Sequence, residues 1–154
     1  MAASAERARQ VYLLDDDPGW LRALARLLAV EGLRPRTFAD PASLLEGLVE
    51  RVPALVVLDF ALGVRQTGAD VARLLRRRLG AATPALVLLS GGLTEVSEAD
   101  RAAFDRVLSK DAPVGETVQV IVGWARPSVV RSSVRLKGLA SPAGDEPGGQ
   151  SGVA

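Results

Sequence analysis

Between residues 10 and 126 a short apolar run gives way, five times over, to a stretch with helical spacing. Val11–Leu14, Ala54–Leu58 and Ala85–Leu89 are continuous and rich in branched residues; Arg34–Phe38 and Arg106–Ser109 are weaker. Continuously apolar strands are buried on both faces, and parallel neighbours need a crossover helix to close each connection. The alternation therefore predicts an α/β fold, a doubly wound five-stranded parallel sheet with helices on both faces.

The helices are read from their punctuation and apolar spacing. Pro18 sits near the start of the first, Leu21, Leu24 and Leu28 mark its inner face with Trp20 and Leu27 as an alternative pair, and Gly32 ends it. Asp40 is the expected N-cap of the second, before Pro41, with Leu44, Leu45, Leu48 and Val49 as its apolar positions. A loop containing Gly63 and Gly68 leads to a third helix carrying Val71, Leu74, Leu75 and Leu79. A shorter fourth is expected between Thr94 and Ala103, and a fifth carries Val114, Val118, Ile121, Val122 and Ala125. Residues 1–9 read as a flexible leader, 10–126 as the domain and 127–154 as a disordered tail.

Composition excludes several chemistries. The 154 residues contain no Cys and no His, which removes disulfides, thiolate sites, imidazole-bound metals and histidine-based triads. A metal here sits on oxygen ligands, which favours magnesium or calcium. With 19 Lys+Arg against 18 Asp+Glu, no overall field draws the chain to nucleic acid or to a membrane surface. No apolar run is long enough to cross a bilayer and no signal-peptide core is present, so a cytoplasmic location is expected. Lys110 and Lys137 are the only lysines among many arginines.

In a doubly wound sheet, ligands bind beyond the carboxyl ends of the strands. The first strand ends in Asp15, Asp16 and Asp17, the third in Asp59, the fourth in Ser90 and the fifth in Lys110. Singly, each reads as an ordinary turn or cap residue. Together they put clustered carboxylates, which repel one another, beside a hydroxyl and one ammonium. A divalent cation would offset the remaining charge.

These motifs, Leu13-Leu14-Asp15-Asp16-Asp17-Pro18, Val56-Val57-Leu58-Asp59, Leu88-Leu89-Ser90-Gly91 and Leu108-Ser109-Lys110, resemble those of the receiver domain of bacterial two-component response regulators, in order and over residues 10–126. The resemblance implies a flavodoxin-like strand order of 2-1-3-4-5 and a phosphoacceptor at Asp59, supplied by a histidine kinase or a histidine phosphotransfer protein. It implies Mg²⁺ held by Asp15, Asp16, Asp59 and the backbone carbonyl of Ala61. Lys110 and Ser90 would contact the phosphoryl oxygens and Gly91 would leave the pocket open; Asp17 either supports the acidic pocket from behind, the reading preferred here, or merely faces solvent. The output would be a surface between Thr94 and Arg126 that meets a downstream protein target, with a phosphorylation-dependent dimer as one form of it. Enzymatic activity is expected to be limited to self-phosphotransfer and slow autodephosphorylation, since Ala61 and Gly92 carry no polar side chain to position water.

The sequence departs from the family pattern in three respects. Val107 stands where many receivers carry Phe or Tyr, and Asp111 follows Lys110 where Pro is usual. A cis bond before Asp111 would cost about 2.5–4 kcal/mol, so a trans bond is expected. The 28 residues after Arg126 are too few for an output domain, which suggests a single-domain regulator. Within them, Val129–Leu139 interleaves Arg131, Arg135 and Lys137 with apolar residues; it reads as a solvated basic tail, or alternatively as a segment that orders against a partner or its own domain. Val107 also leaves open a phosphorylation-independent interaction module. A phosphatase of the haloacid dehalogenase type would need an acid two residues after Asp59, where Ala61 stands.

Overall fold

A computed structural model describes residues 9–63 and 65–126. The expected leader, apart from Arg9, and the whole expected tail lie outside the described residues. In chain order the elements are β1 (Gln10–Leu14), α1 (Pro18–Val30), β2 (Arg34–Phe38), α2 (Pro41–Glu50), β3 (Leu55–Asp59), α3 (Gly68–Leu79), β4 (Ala85–Ser90), α4 (Glu98–Arg101), β5 (Arg106–Ser109) and α5 (Val114–Ala125). The sheet is parallel throughout with order β2-β1-β3-β4-β5, as expected.

Side-chain alternation along the strands builds two cores, one on each face of the sheet. Val11 and Leu13 of β1, Leu55 and Val57 of β3, and Val87 and Leu89 of β4 face α1 and α5, where they meet Leu24, Leu28 and Ile121. The intervening residues Tyr12, Leu14, Val56, Leu58, Leu86 and Leu88 face α2 and α3, against Leu44, Leu48, Val71 and Leu75. The middle strands are buried along their whole length, which is why they read as continuous apolar runs. β2 is a sheet edge, and Arg34, Pro35 and Arg36 leave it a polar, proline-interrupted border that resists pairing with another chain.

Most boundaries coincide with the caps anticipated. Asp40 accepts from the amide of Ser43, and Gly32 takes φ 88°, a left-handed conformation that suits glycine. Other details differ. Val49 is 88% exposed, because α2 presents Leu44, Gly47 and Leu48 to the sheet and Val49 falls on the opposite side. Gly68 opens α3 instead of lying in the loop before it, with Thr67 and Asp70 capping one another's amides. Arg9, assigned above to the leader, accepts a hydrogen bond from the amide of Arg34 and extends the β1–β2 ladder.

The shorter helix expected between Thr94 and Ala103 is a single α-turn, α4, preceded by a 3₁₀ turn at Leu93–Glu95. Val96, Ala103 and Phe104 carry the burial of this segment, from outside its helical turn. Arginines secure it: Arg101 donates to the carbonyls of Leu93 and Val96, Arg73 of α3 pairs with Asp100, and Arg76 donates to the carbonyl of Ala103. Among the described residues there is no cis peptide bond, and Lys110–Asp111 runs trans.

Candidate acidic site at the strand ends

β1, β3, β4 and β5 end at the same edge of the sheet. Register brings Asp59 level with Leu89, and Ser90 level with Ser109, one residue before Lys110. Asp15 begins the loop after β1, its amide bonded to the carbonyl of Phe38. Asp15, Asp59 and Ser90 are only 4%, 7% and 5% exposed, whereas Asp16 stands open to solvent. One carboxylate oxygen from each of Asp15, Asp16 and Asp59 lies within 4.8 Å of the others.

Lys110 enters this cluster from across the sheet. Its Nζ is 2.7 Å from Asp15 Oδ2 and 3.1 Å from Asp59 Oδ1. Burial, the Asp15 carboxylate and, more weakly, Asp16 push the pKa of Asp59 above the ordinary carboxylate value, against the pull of Lys110. Burial works to lower the pKa of Lys110, but its hydrogen bonds and charge attraction to Asp15 and Asp59 outweigh it and raise the pKa. A single ammonium thus faces three carboxylates. The donor set is oxygen throughout, and the cluster carries surplus negative charge in a small volume, which fits a hard divalent cation such as Mg²⁺.

The other anticipated residues fall into distinct places. Ser90 lies at the end of β4 with its Oγ accepting from the amide of Gly92 at 3.2 Å. Beside Gly91 a Cβ would meet nothing within 4 Å, so the space there is open. Ala61, exposed and two residues beyond Asp59, forms an isolated antiparallel bridge with Thr67. Asp17 touches the acids through its backbone. Its carboxylate caps α1, accepting from Gly19 and Trp20, and its amide donates to Asp15 Oδ1 at 2.9 Å. The carboxylate therefore belongs to the helix terminus, and the backbone of Asp17 does the orienting.

Two residues at the site were read from sequence only as structural. Trp20, placed on an alternative apolar stripe of α1, turns toward Lys110, whose Nζ lies 5.4 Å from its ring centroid. Gly68 lies against the backbone of Asp59: a Cβ there would come within 2.2 Å of the Asp59 carbonyl oxygen, and its own amide donates to the carbonyl of Phe60. The rarity of lysine and the position of Trp20 just after the aspartates were the available signals for the first. Nothing local marks the second. A wider cleft at the opposite end of the sheet, lined by Thr83, Pro84, Arg106 and Trp124 among others, shares no residue with this cluster.

No protein-family model matches the sequence. Solved structures do match. The response regulator receiver domain (CheY-like) from Methylobacillus flagellatus superposes with TM-score 0.67 at 18% identity, covering 75% of this chain and 98% of that one. The chain has the receiver-domain fold. The response regulator TrrA from Thermotoga maritima, solved in complex with Mg²⁺ and BeF, has the same receiver fold with TM-score 0.67, 21% identity and coverage of 75% and 98%. NtrX from Brucella abortus, in complex with ATP, matches with TM-score 0.70 at 24% identity over 83% of this chain but 29% of its own longer chain. Receiver architecture thus accounts for the sheet order and for the ends of β1, β3 and β5 meeting in one cluster.

Proposed function

We propose that this chain is a phosphoacceptor response regulator, in which Asp59 takes a phosphoryl group from a histidine kinase or histidine phosphotransfer protein. The observation that carries this reading is the convergence of Asp15, Asp16, Asp59 and Lys110 at one end of a receiver fold. An Asp59 carboxylate oxygen forms a bond to phosphorus as the bond from phosphorus to the donor breaks, and the donor keeps the electron pair. Asp15, Asp16 and Asp59, with the Ala61 carbonyl, would hold Mg²⁺, which supplies charge neutralisation for the approach of an anionic donor to a carboxylate. Lys110 supplies a flexible point charge for the phosphoryl oxygens, and Ser90, whose Oγ accepts from the amide of Gly92, has an O–H to donate to one of them.

The consequence for the molecule is a change in population between two arrangements of the segment from Thr94 to Arg126, which meets a downstream protein. A phosphorylation-dependent dimer is one outcome of such a change. Apart from self-phosphotransfer the chain is no enzyme, and it loses the phosphoryl group slowly. The reading places it in the cytoplasm, where such donors reside; among the described residues no helix is long and apolar enough to cross a membrane.

Incubation with Mg²⁺ and acetyl phosphate tests the reading by intact mass. One added phosphoryl group is expected, absent without Mg²⁺ and absent in Asp59→Asn. A second reading, a phosphorylation-independent interaction module, is favoured by Val107 alone: it is half-buried against the core face of α2 and α3 and has no ring to turn inward. Failure to take phosphate from acetyl phosphate and from every cellular histidine kinase tried would favour that second reading.

A further inference from the structure

We propose that Trp20 is a positioning residue for Lys110, its indole face keeping the ammonium over the acidic cleft while the carboxylates change partners. The proposal rests on the phosphoacceptor reading of Asp59. Lys110 Nζ lies 5.4 Å from the Trp20 ring centroid, inside the range of about 6 Å over which an aromatic face attracts a cation. The lysine is only partly exposed, its side chain at 22%, and partial desolvation strengthens that attraction. Trp20 also walls a small cavity together with Asp15 and Asp59, so the ring belongs to the cleft as well as to the helix.

The backbone that carries the ring is held by the same chain of contacts that orients the acids. The Trp20 amide donates to Asp17 Oδ1 at 3.2 Å, the Asp17 amide donates to Asp15 Oδ1 at 2.9 Å, and Lys110 donates to Asp15 Oδ2 at 2.7 Å. The ammonium over the indole closes this circuit. Its carboxylate partners are also the groups that the reaction requires for other tasks. Bonding of an Asp59 oxygen to phosphorus gives an acyl phosphate and moves the negative charge from that carboxylate to the phosphoryl oxygens, so Lys110 must change partners, and cation binding competes for Asp15. The indole face is not among the groups the reaction uses, so it retains the ammonium on its long flexible stem within reach of the incoming phosphoryl oxygens.

The test compares Trp20→Phe, Trp20→Leu and Trp20→Met in the full chain, each checked for folding by circular dichroism. Phosphoryl uptake from acetyl phosphate is followed by intact mass across a range of Mg²⁺ and donor concentrations. The Leu and Met variants are expected to accept phosphate about 3- to 10-fold more slowly, while Phe restores the rate to within about 2-fold, since it retains an aromatic face. The Mg²⁺ concentration giving half the maximal rate is expected to stay unchanged in all three, because Trp20 ligates nothing. Leu or Met at the wild-type rate overturns the proposal. So does an equal loss in Phe, a parallel shift in Mg²⁺ dependence, or failure of both Leu and Met variants to fold, each of which marks Trp20 as packing only. A wild-type chain that takes up no phosphoryl group overturns the proposed function itself; a competent wild type with indifferent variants overturns only the role of Trp20.

Discussion

At the scale of single residues, two glycines beside the site make opposite predictions. Gly68 opens α3 so close to β3 that any Cβ collides with the Asp59 carbonyl oxygen at 2.2 Å, and that oxygen belongs to backbone that cannot swing aside. Gly68→Ala is therefore expected to cost about 1–3 kcal/mol in urea unfolding, the range for forcing extra volume into a packed site. It should also slow phosphoryl uptake, because relieving the clash moves Asp59. Gly91→Ala meets open space and should leave the unfolding midpoint within about 0.5 kcal/mol of wild type. Equal midpoints for the two variants would show that α3 does not seat on Asp59 as described. Asp15, Asp16, Asp59, Ser90 and Lys110 were legible in the sequence because each terminates or follows an apolar run, and the carboxyl ends of parallel strands share one edge. Gly68 and Trp20 were not legible. The close approach of a helix start to a strand end is a tertiary fact, and an aromatic residue at helical spacing reads as core until its neighbours are known.

Elements were legible in proportion to their burial. β1, β3 and β4 carry continuous apolar runs because helices cover both faces, and their order was legible only through the family resemblance. α4 reads only weakly in the sequence because Glu98-Ala99-Asp100-Arg101 carries capping and charge signals without an apolar stripe. Its stability comes from side chains that reach across from elsewhere: Arg73 to Asp100 and to the Ala99 carbonyl, and Arg76 to the Ala103 carbonyl. Contacts between a distant arginine and a main-chain carbonyl leave no periodic trace. Asp100→Ala is expected to release this segment locally. Amide exchange across 97–104 should rise about 10-fold, while global stability falls by only about 0.5–1 kcal/mol, as for a partly exposed ion pair. A uniform rise in exchange over the whole sheet would instead mean that α4 is integral to the core. The segment is also the one that the proposed function asks to move, and polar ties over a short turn are easier to exchange than a packed helix face.

For the whole molecule, the consequential quantity is the uncompensated charge at one end of the sheet. Three carboxylates meet one ammonium there, and the raised pKa of Asp59 means that its ionised form is less welcome in the folded chain than in the unfolded one. The linkage sign follows directly: a carboxyl that binds its proton more tightly when folded lowers stability as pH rises through its folded pKa, and the penalty vanishes below its unfolded pKa. Lys110 has the opposite consequence, since its raised pKa contributes stability below the unfolded lysine value that is lost only as pH climbs past the folded one. Near neutrality, without divalent cation, Asp59→Asn is therefore expected to stabilise the chain by about 1 kcal/mol, a figure kept small by solvent screening at the mouth of the cleft. Lys110 keeps its hydrogen bond to Asp15 in that variant. The advantage should shrink as pH falls through the folded pKa of Asp59. Mg²⁺ should act in the opposite sense on the pair: at about ten times its Kd it adds roughly 1.4 kcal/mol to wild type, a rise in Tm of roughly 3–7 °C that EDTA reverses, and adds less to Asp59→Asn. Thermal unfolding of both proteins at pH 4.5 and 7.5, with Mg²⁺ and with EDTA, reads all of these signs together. An Asn variant less stable than wild type in EDTA at neutral pH would mean that Lys110 already neutralises Asp59, and that the cluster has no electrostatic demand for a cation.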